Sequence, residues 1–115
     1  MKKLKIAVAG LGRIGKIHLN NLLQLTNVEV IGVMDPASEA IEYAKLKGVE
    51  NTYKKFNELV TINQLDAIVI CTPTNTHANY IETSAKLGIQ IFCEKPLDLN
   101  IQRVKDVLKV VDKSK

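Results

Sequence analysis

The 115-residue sequence predicts an α/β fold: a doubly wound, mostly parallel sheet with helices on both faces. Two observations carry this. Apolar runs of strand length alternate with segments of helical period, and the runs are continuous, as strands buried on both faces require. The first run leads directly into Gly10, Gly12 and Gly15, a G-x-G-x-x-G spacing that opens a helix.

The first strand is Leu4 to Ala9, and the first helix runs from Ile14 to about Leu25 with Ile14, Ile17, Leu22 and Leu25 as its apolar stripe. Val28 to Asp35 is rich in β-branched residues and forms a second strand that ends on an acid. Ser38 is the expected N-cap of a helix reaching Lys47, and Gly48 closes it. A short third strand near Asn51 to Tyr53 precedes a small helix from Asn57 to Asn63. Asp66 to Cys71 is a fourth, continuous apolar strand broken by Pro73; Asn75 or Thr76 caps a helix to about Leu87, which Gly88 ends. Ile89 to Pro96 is the fifth strand, and Asn100 opens a last helix with the stripe Ile101, Val104, Leu108 and Val111. No linker or repeat interrupts the chain, so residues 1–115 read as one domain. Its expected strand order is 3-2-1-4-5, which puts the fourth strand beside the first.

A composition of 46% hydrophobic and 24% charged residues belongs to a globular protein and excludes a disordered or fibrous one. The net charge of +4 is scattered lysine with one small cluster at Lys2, Lys3 and Lys5; with 4% aromatics and no Trp, it argues against a nucleic-acid partner. The opening MKKLKIAVAGLG has a charged head and a short apolar run, but the run ends in the glycine pattern without a small-residue cleavage site. No run approaches membrane-spanning length, so the expectation is a cytoplasmic protein with no membrane partner. Cys71 and Cys93 lie inside apolar runs and match no metal-ligand spacing; buried thiols in a reducing compartment, and no metal, are expected.

Three glycines at this spacing have separate steric tasks when a dinucleotide is bound. Gly10 makes the tight turn out of the strand, Gly12 lets the phosphates approach, and Gly15 lets the helix pack closely. The helix N-terminus then meets the pyrophosphate with N–H groups that lack intrahelical partners. Arg13 and Ile14 complete the candidate loop; the Arg13 guanidinium either contacts the pyrophosphate or is simply solvated. Asp35 lies about 20 residues after Gly15, where a carboxylate accepts from the hydroxyls of the adenosine ribose and repels a 2′-phosphate. That predicts NAD over NADP. The alternative task for Asp35 is to open an Asp-Pro turn with Pro36. His18, one turn into the helix, reads as structural.

With AGLGRIGKIH, VMDP, CTPTNTHANYI and CEKPL in this order and spacing, the chain resembles the N-terminal, Rossmann-fold domain of the glucose-fructose oxidoreductase / inositol dehydrogenase (Gfo/Idh/MocA) family over essentially its whole length. The resemblance implies that Thr72, Pro73, Asn75 and His77 line the ribose and nicotinamide end of the cofactor, although His77 is also placed to be an ordinary early-helix residue. It implies that Lys95 of the Glu-Lys-Pro stretch lies close to the reacting hydroxyl, as the cation or base that hydride removal requires; a surface ion pair is the default for a lysine. Glu94 is counted with the cofactor-binding set and points to the other side of its strand as structural support.

By the same resemblance, longer family members carry a second α/β domain that supplies the substrate pocket, an aspartate and histidine for acid–base work, and the oligomer contacts. Residues 1–115 hold only the cofactor-binding part, with that C-terminal substrate domain absent. The expected function is that of the NAD(H)-binding domain of an oxidoreductase acting on a hydroxyl-bearing carbon of a sugar, polyol or related compound. Substrate is engaged only with the missing domain, and the chain alone has little or no turnover. The alternative is a stand-alone NAD-binding module, or a subunit completed by a partner chain; an open sheet edge favours self-association.

Overall fold

A computed structural model describes residues 3–93. The elements follow the order β1 (Leu4–Ala9), α1 (Arg13–Leu23), β2 (Val28–Met34), α2 (Ser38–Leu46), β3 (Thr52–Tyr53), α3 (Phe56–Ile62), β4 (Ala67–Ile70), α4 (Thr74–Lys86) and β5 (Gln90–Cys93). The strands form a five-stranded sheet in the order β3-β2-β1-β4-β5, and every pairing is parallel. The expected class and strand order are those observed. The expected last helix and the end of the fifth strand, 94–115, lie outside the described residues.

Side chains alternate across each strand, so β1 feeds two cores at once. Ala7 and Ala9 join Met34, Phe56, Leu59, Ile68, Ile70, Ala78 and Ile81 under α3 and α4. Ile6 and Val8 join Leu11, Leu19, Val33, Ala40, Ala44 and Val69 under α1 and α2. β1 is thus central in the sheet and buried on both sides over Ala7–Ala9. Across the second core, the Asn20 amide donates to the Tyr43 hydroxyl at 2.8 Å and the Lys16 ammonium lies 4.8 Å from the Tyr43 ring, tying α1 to α2.

Several local expectations are corrected. In α1 the inward residues are Gly15 and Leu19, with Leu22 half-buried, whereas Ile14, Ile17 and Leu25 are exposed. The true face follows i, i+4, i+7 from Gly15, a residue that hydrophobicity alone does not mark. Ser38 is not the N-cap of α2; Ala37 holds that position, and the Ser38 hydroxyl accepts from the Lys54 ammonium at 3.1 Å. Helix α4 starts before Asn75, on Pro73, whose fixed φ suits a helix entry. Cys71 and Cys93 are half-buried rather than buried; Cys71 stands just past the end of β4 and Cys93 is the last residue of β5. The expected helix ends hold: Gly48 (φ 92°) and Gly88 (φ 75°) follow α2 and α4, with Val49 and Ile89 donating back to Ala44 and Ser84.

Candidate dinucleotide site

The loops β1–α1, β2–α2 and β4–α4 leave adjacent strands at their carboxyl ends, where doubly wound sheets hold ligands. The three glycines of the first loop stand in different surroundings. Gly10 has φ 92°, donates its N–H to the Met34 carbonyl at 2.7 Å, and leaves no room for a side chain: an added Cβ would lie 2.6 Å from the Cys71 carbonyl carbon and 2.7 Å from the Thr72 nitrogen. At Gly15 an added Cβ would overlap the Gly10 carbonyl oxygen. Gly12 has an ordinary φ of −71°, and an added Cβ would meet nothing within 4 Å. Packing within the described chain therefore explains Gly10 and Gly15 and leaves Gly12 without an internal reason.

Gly12 is also the N-cap of α1, and having no side chain it caps nothing. The Lys16 N–H reaches the Gly12 carbonyl at 3.0 Å as the first intrahelical bond, so the N–H groups of Arg13, Ile14 and Gly15 precede the ladder. The first turn carries no acidic residue. Arg13 and Ile14 are exposed on this turn. The open helix end thus concentrates partial positive charge beside the unfilled space at Gly12.

Asp35 closes the Asp-Pro turn expected of it and also reaches the glycine loop. Its Oδ1 accepts the Ala37 N–H at 2.9 Å, closing the turn around Pro36, while Oδ2 accepts the Leu11 N–H of the glycine loop at 2.7 Å. The carboxylate is half-buried, and each oxygen retains acceptor capacity toward a hydroxyl. Beside it opens a cleft of about 340 Å³ lined by Met34, Pro36, Lys54, Phe56 and Tyr80, with the Phe56 and Tyr80 rings stacked at 3.9 Å. Burial raises the Tyr80 phenol above its ordinary 10.0. A larger cavity of about 520 Å³ lies against Lys5, Asp66, Leu87 and Ile89 at the amino ends of the strands, away from these loops.

The β4–α4 loop is knit by its own side chains. The Thr72 and Thr76 hydroxyls are 2.5 Å apart, and the Thr76 hydroxyl donates to the Pro73 carbonyl at 2.6 Å. The His77 Nε2 lies 2.7 Å from the Thr72 carbonyl oxygen, which only accepts, so Nε2 carries the proton. His77 is 2% exposed and Thr72 is buried, whereas Pro73 and Asn75 face outward. The structure thus sets Gly10 against Cys71 and Thr72 and Asp35 against Leu11, leaves Pro73 and Asn75 exposed at the start of α4, and turns His77 inward. Thr76 and the Leu11 N–H were not foreseen; a threonine in a Thr-rich loop and a backbone donor carry no sequence mark. His18 packs edge-on against the Phe92 ring at 5.3 Å. Glu94 and Lys95 lie outside the described residues. Among the described residues no cluster of His, Cys, Asp or Glu could hold a metal ion, and no helix is long and apolar enough to cross a membrane.

Residues 4–115 match the model of the oxidoreductase family (GFO_IDH_MocA) with an NAD-binding Rossmann fold. The chain belongs to this family. Among its relatives are myo-inositol 2-dehydrogenase of Thermotoga maritima, 37% identical over 97% of this chain and 33% of its own length, and inositol 2-dehydrogenase of Rhizobium meliloti, 40% identical over 96% and 33%. The crystal structure of scyllo-inositol dehydrogenase from Lactobacillus casei with bound NAD(H) and scyllo-inositol superposes with a TM-score of 0.94 at 30% identity, covering 98% of this chain and 34% of that one. The Gfo/Idh/MocA resemblance and the NAD-type cofactor fold are therefore established. The chain spans about a third of the length of the relatives it matches.

Proposed function

We propose that residues 1–115 form the NAD(H)-binding part of an oxidoreductase that moves a hydride between nicotinamide and a hydroxyl-bearing carbon of an inositol, sugar or related polyol. The observation that carries this reading is the space at Gly12: the one glycine of the β1–α1 loop with no internal steric task sits at an uncapped helix end. A pyrophosphate fits that space and that charge. Asp35 then accepts from the adenosine ribose hydroxyls, and its charge disfavours a 2′-phosphate, so NAD is preferred to NADP. The apolar cleft beside Asp35, with its stacked Phe56 and Tyr80, suits the adenine ring.

Thr72, Pro73 and Asn75 face the nicotinamide half. His77 supports them from beneath by holding the Thr72 carbonyl rather than by touching the cofactor. When bound, the cofactor accepts the hydride of the carbinol carbon. The hydroxyl proton must leave as well, and Lys95, by analogy with the lysine of the family's Glu-Lys-Pro stretch, is the residue assigned to hold or receive it. Substrate choice rests with parts of the relatives that this chain does not align with, and turnover by these residues alone is expected to be negligible.

Calorimetric titration of the 115-residue chain with NAD(H), beside NADP(H) and a Gly12→Val variant, tests the reading. Saturable binding that favours NAD(H) and disappears in the variant while the fold persists is the expected result. Equal affinity of the variant would place the pyrophosphate elsewhere.

A further inference from the structure

We propose that Asp35 is a positioning residue for the glycine loop as well as the acceptor of the adenosine ribose, so that one carboxylate links ribose recognition to pyrophosphate affinity. The inference rests on the NAD(H) reading above, since it concerns the same site. Leu11 stands between Gly10 and Gly12, and its side chain is 2% exposed in the α1/α2 core. A backbone this rich in glycine has wide conformational freedom. Two bonds from the end of β2 restrain it: the Gly10 N–H on the Met34 carbonyl and the Leu11 N–H on Asp35 Oδ2, both at 2.7 Å. The second has a charged acceptor and is the stronger of the two. The other carboxylate oxygen is fixed by the Ala37 N–H at 2.9 Å, so Asp35 spans from the β2–α2 turn to the loop.

The direction of the N–H groups at the start of α1 follows from how residues 10–12 turn. Donors held in place before a ligand arrives bind it without an ordering cost. Asp35 therefore raises affinity for a diphosphate it does not touch. Direct Coulomb repulsion has the opposite sign: a carboxylate near a diphosphate repels it, and removing the carboxylate tightens any ligand that lacks ribose hydroxyls. The two effects are distinguishable by sign.

The test is titration of the 115-residue chain and its Asp35→Asn and Asp35→Ala variants with ADP and with 2′,3′-dideoxy-ADP, together with hydrogen exchange at the Leu11 amide. Both variants are expected to lose roughly tenfold in affinity for dideoxy-ADP. They should lose more for ADP and exchange the Leu11 amide faster, with the Asn variant less affected because its single amide oxygen still accepts one of the two N–H groups. Its near-identical shape also guards against simple loss of the fold. Dideoxy-ADP held as tightly as, or more tightly than, by the unmodified chain would overturn the positioning role and leave Asp35 reading the ribose alone. If the unmodified chain binds neither nucleotide, the NAD(H) reading falls and the affinity link with it. The exchange rate decides the loop restraint in that case: unchanged rates in both variants remove it, and faster rates retain it.

Discussion

The β1–α1 and β4–α4 loops leave neighbouring strands toward the same crevice, yet they are built in opposite ways. The first is almost all backbone: Gly10 and Gly15 exist because backbone passes where a Cβ would stand, and its restraints come from β2. The second is held by side chains, with the Thr72 and Thr76 hydroxyls bonded to each other and Thr76 and His77 donating to the Pro73 and Thr72 carbonyls of the same loop. The contrast teaches that a site can be shaped either by leaving side chains out or by tying them together. Only the first method leaves a spacing that can be recognised without coordinates.

The sharpest way to break the comparison is Gly15→Ala. Its Cβ would overlap a backbone oxygen, so destabilisation of at least about 3 kcal/mol is expected in chemical denaturation. Gly12→Val should instead keep stability within about 0.5 kcal/mol while NAD(H) affinity falls at least about a hundredfold in calorimetry, roughly 2.7 kcal/mol. A large stability loss at Gly12 would erase the distinction between packing glycines and ligand glycines. In the other loop, His77→Ala should cost about 2 kcal/mol of stability, because it leaves a cavity and an unpaired Thr72 carbonyl. Asp35→Ala should narrow the NAD:NADP affinity ratio about tenfold, and an unchanged ratio would remove Asp35 from the ribose site. Thr72→Val, which deletes one hydroxyl of a local pair, should cost about 1 kcal/mol by thermal or chemical unfolding.

Much of the fold was legible because periodicity and glycine spacing are local signals. Five strands, four of the helices, the parallel order and both glycine helix ends follow from them. The inward face of α1 was not legible, because a glycine at the centre of that face carries no hydrophobic mark while the flanking Ile14 and Ile17 do. Helix starts were displaced for a related reason. Ser38 and Asn75 have good capping chemistry, but the turn at Pro36 and the entry at Pro73 fix where α2 and α4 begin.

The sequence by itself determined the α/β class, the strand order and which residues stand in the segments after β1, β2 and β4, because apolar period, turn chemistry and glycine spacing act over a few residues at a time. Only the tertiary structure decided what each of those residues does. Whether Gly12 faces space or protein, whether His77 points out or in, and whether Asp35 is free or bonded to Leu11 depend on contacts between segments distant in the chain. Such contacts arise from close packing of one chain against itself, and no local pattern encodes them.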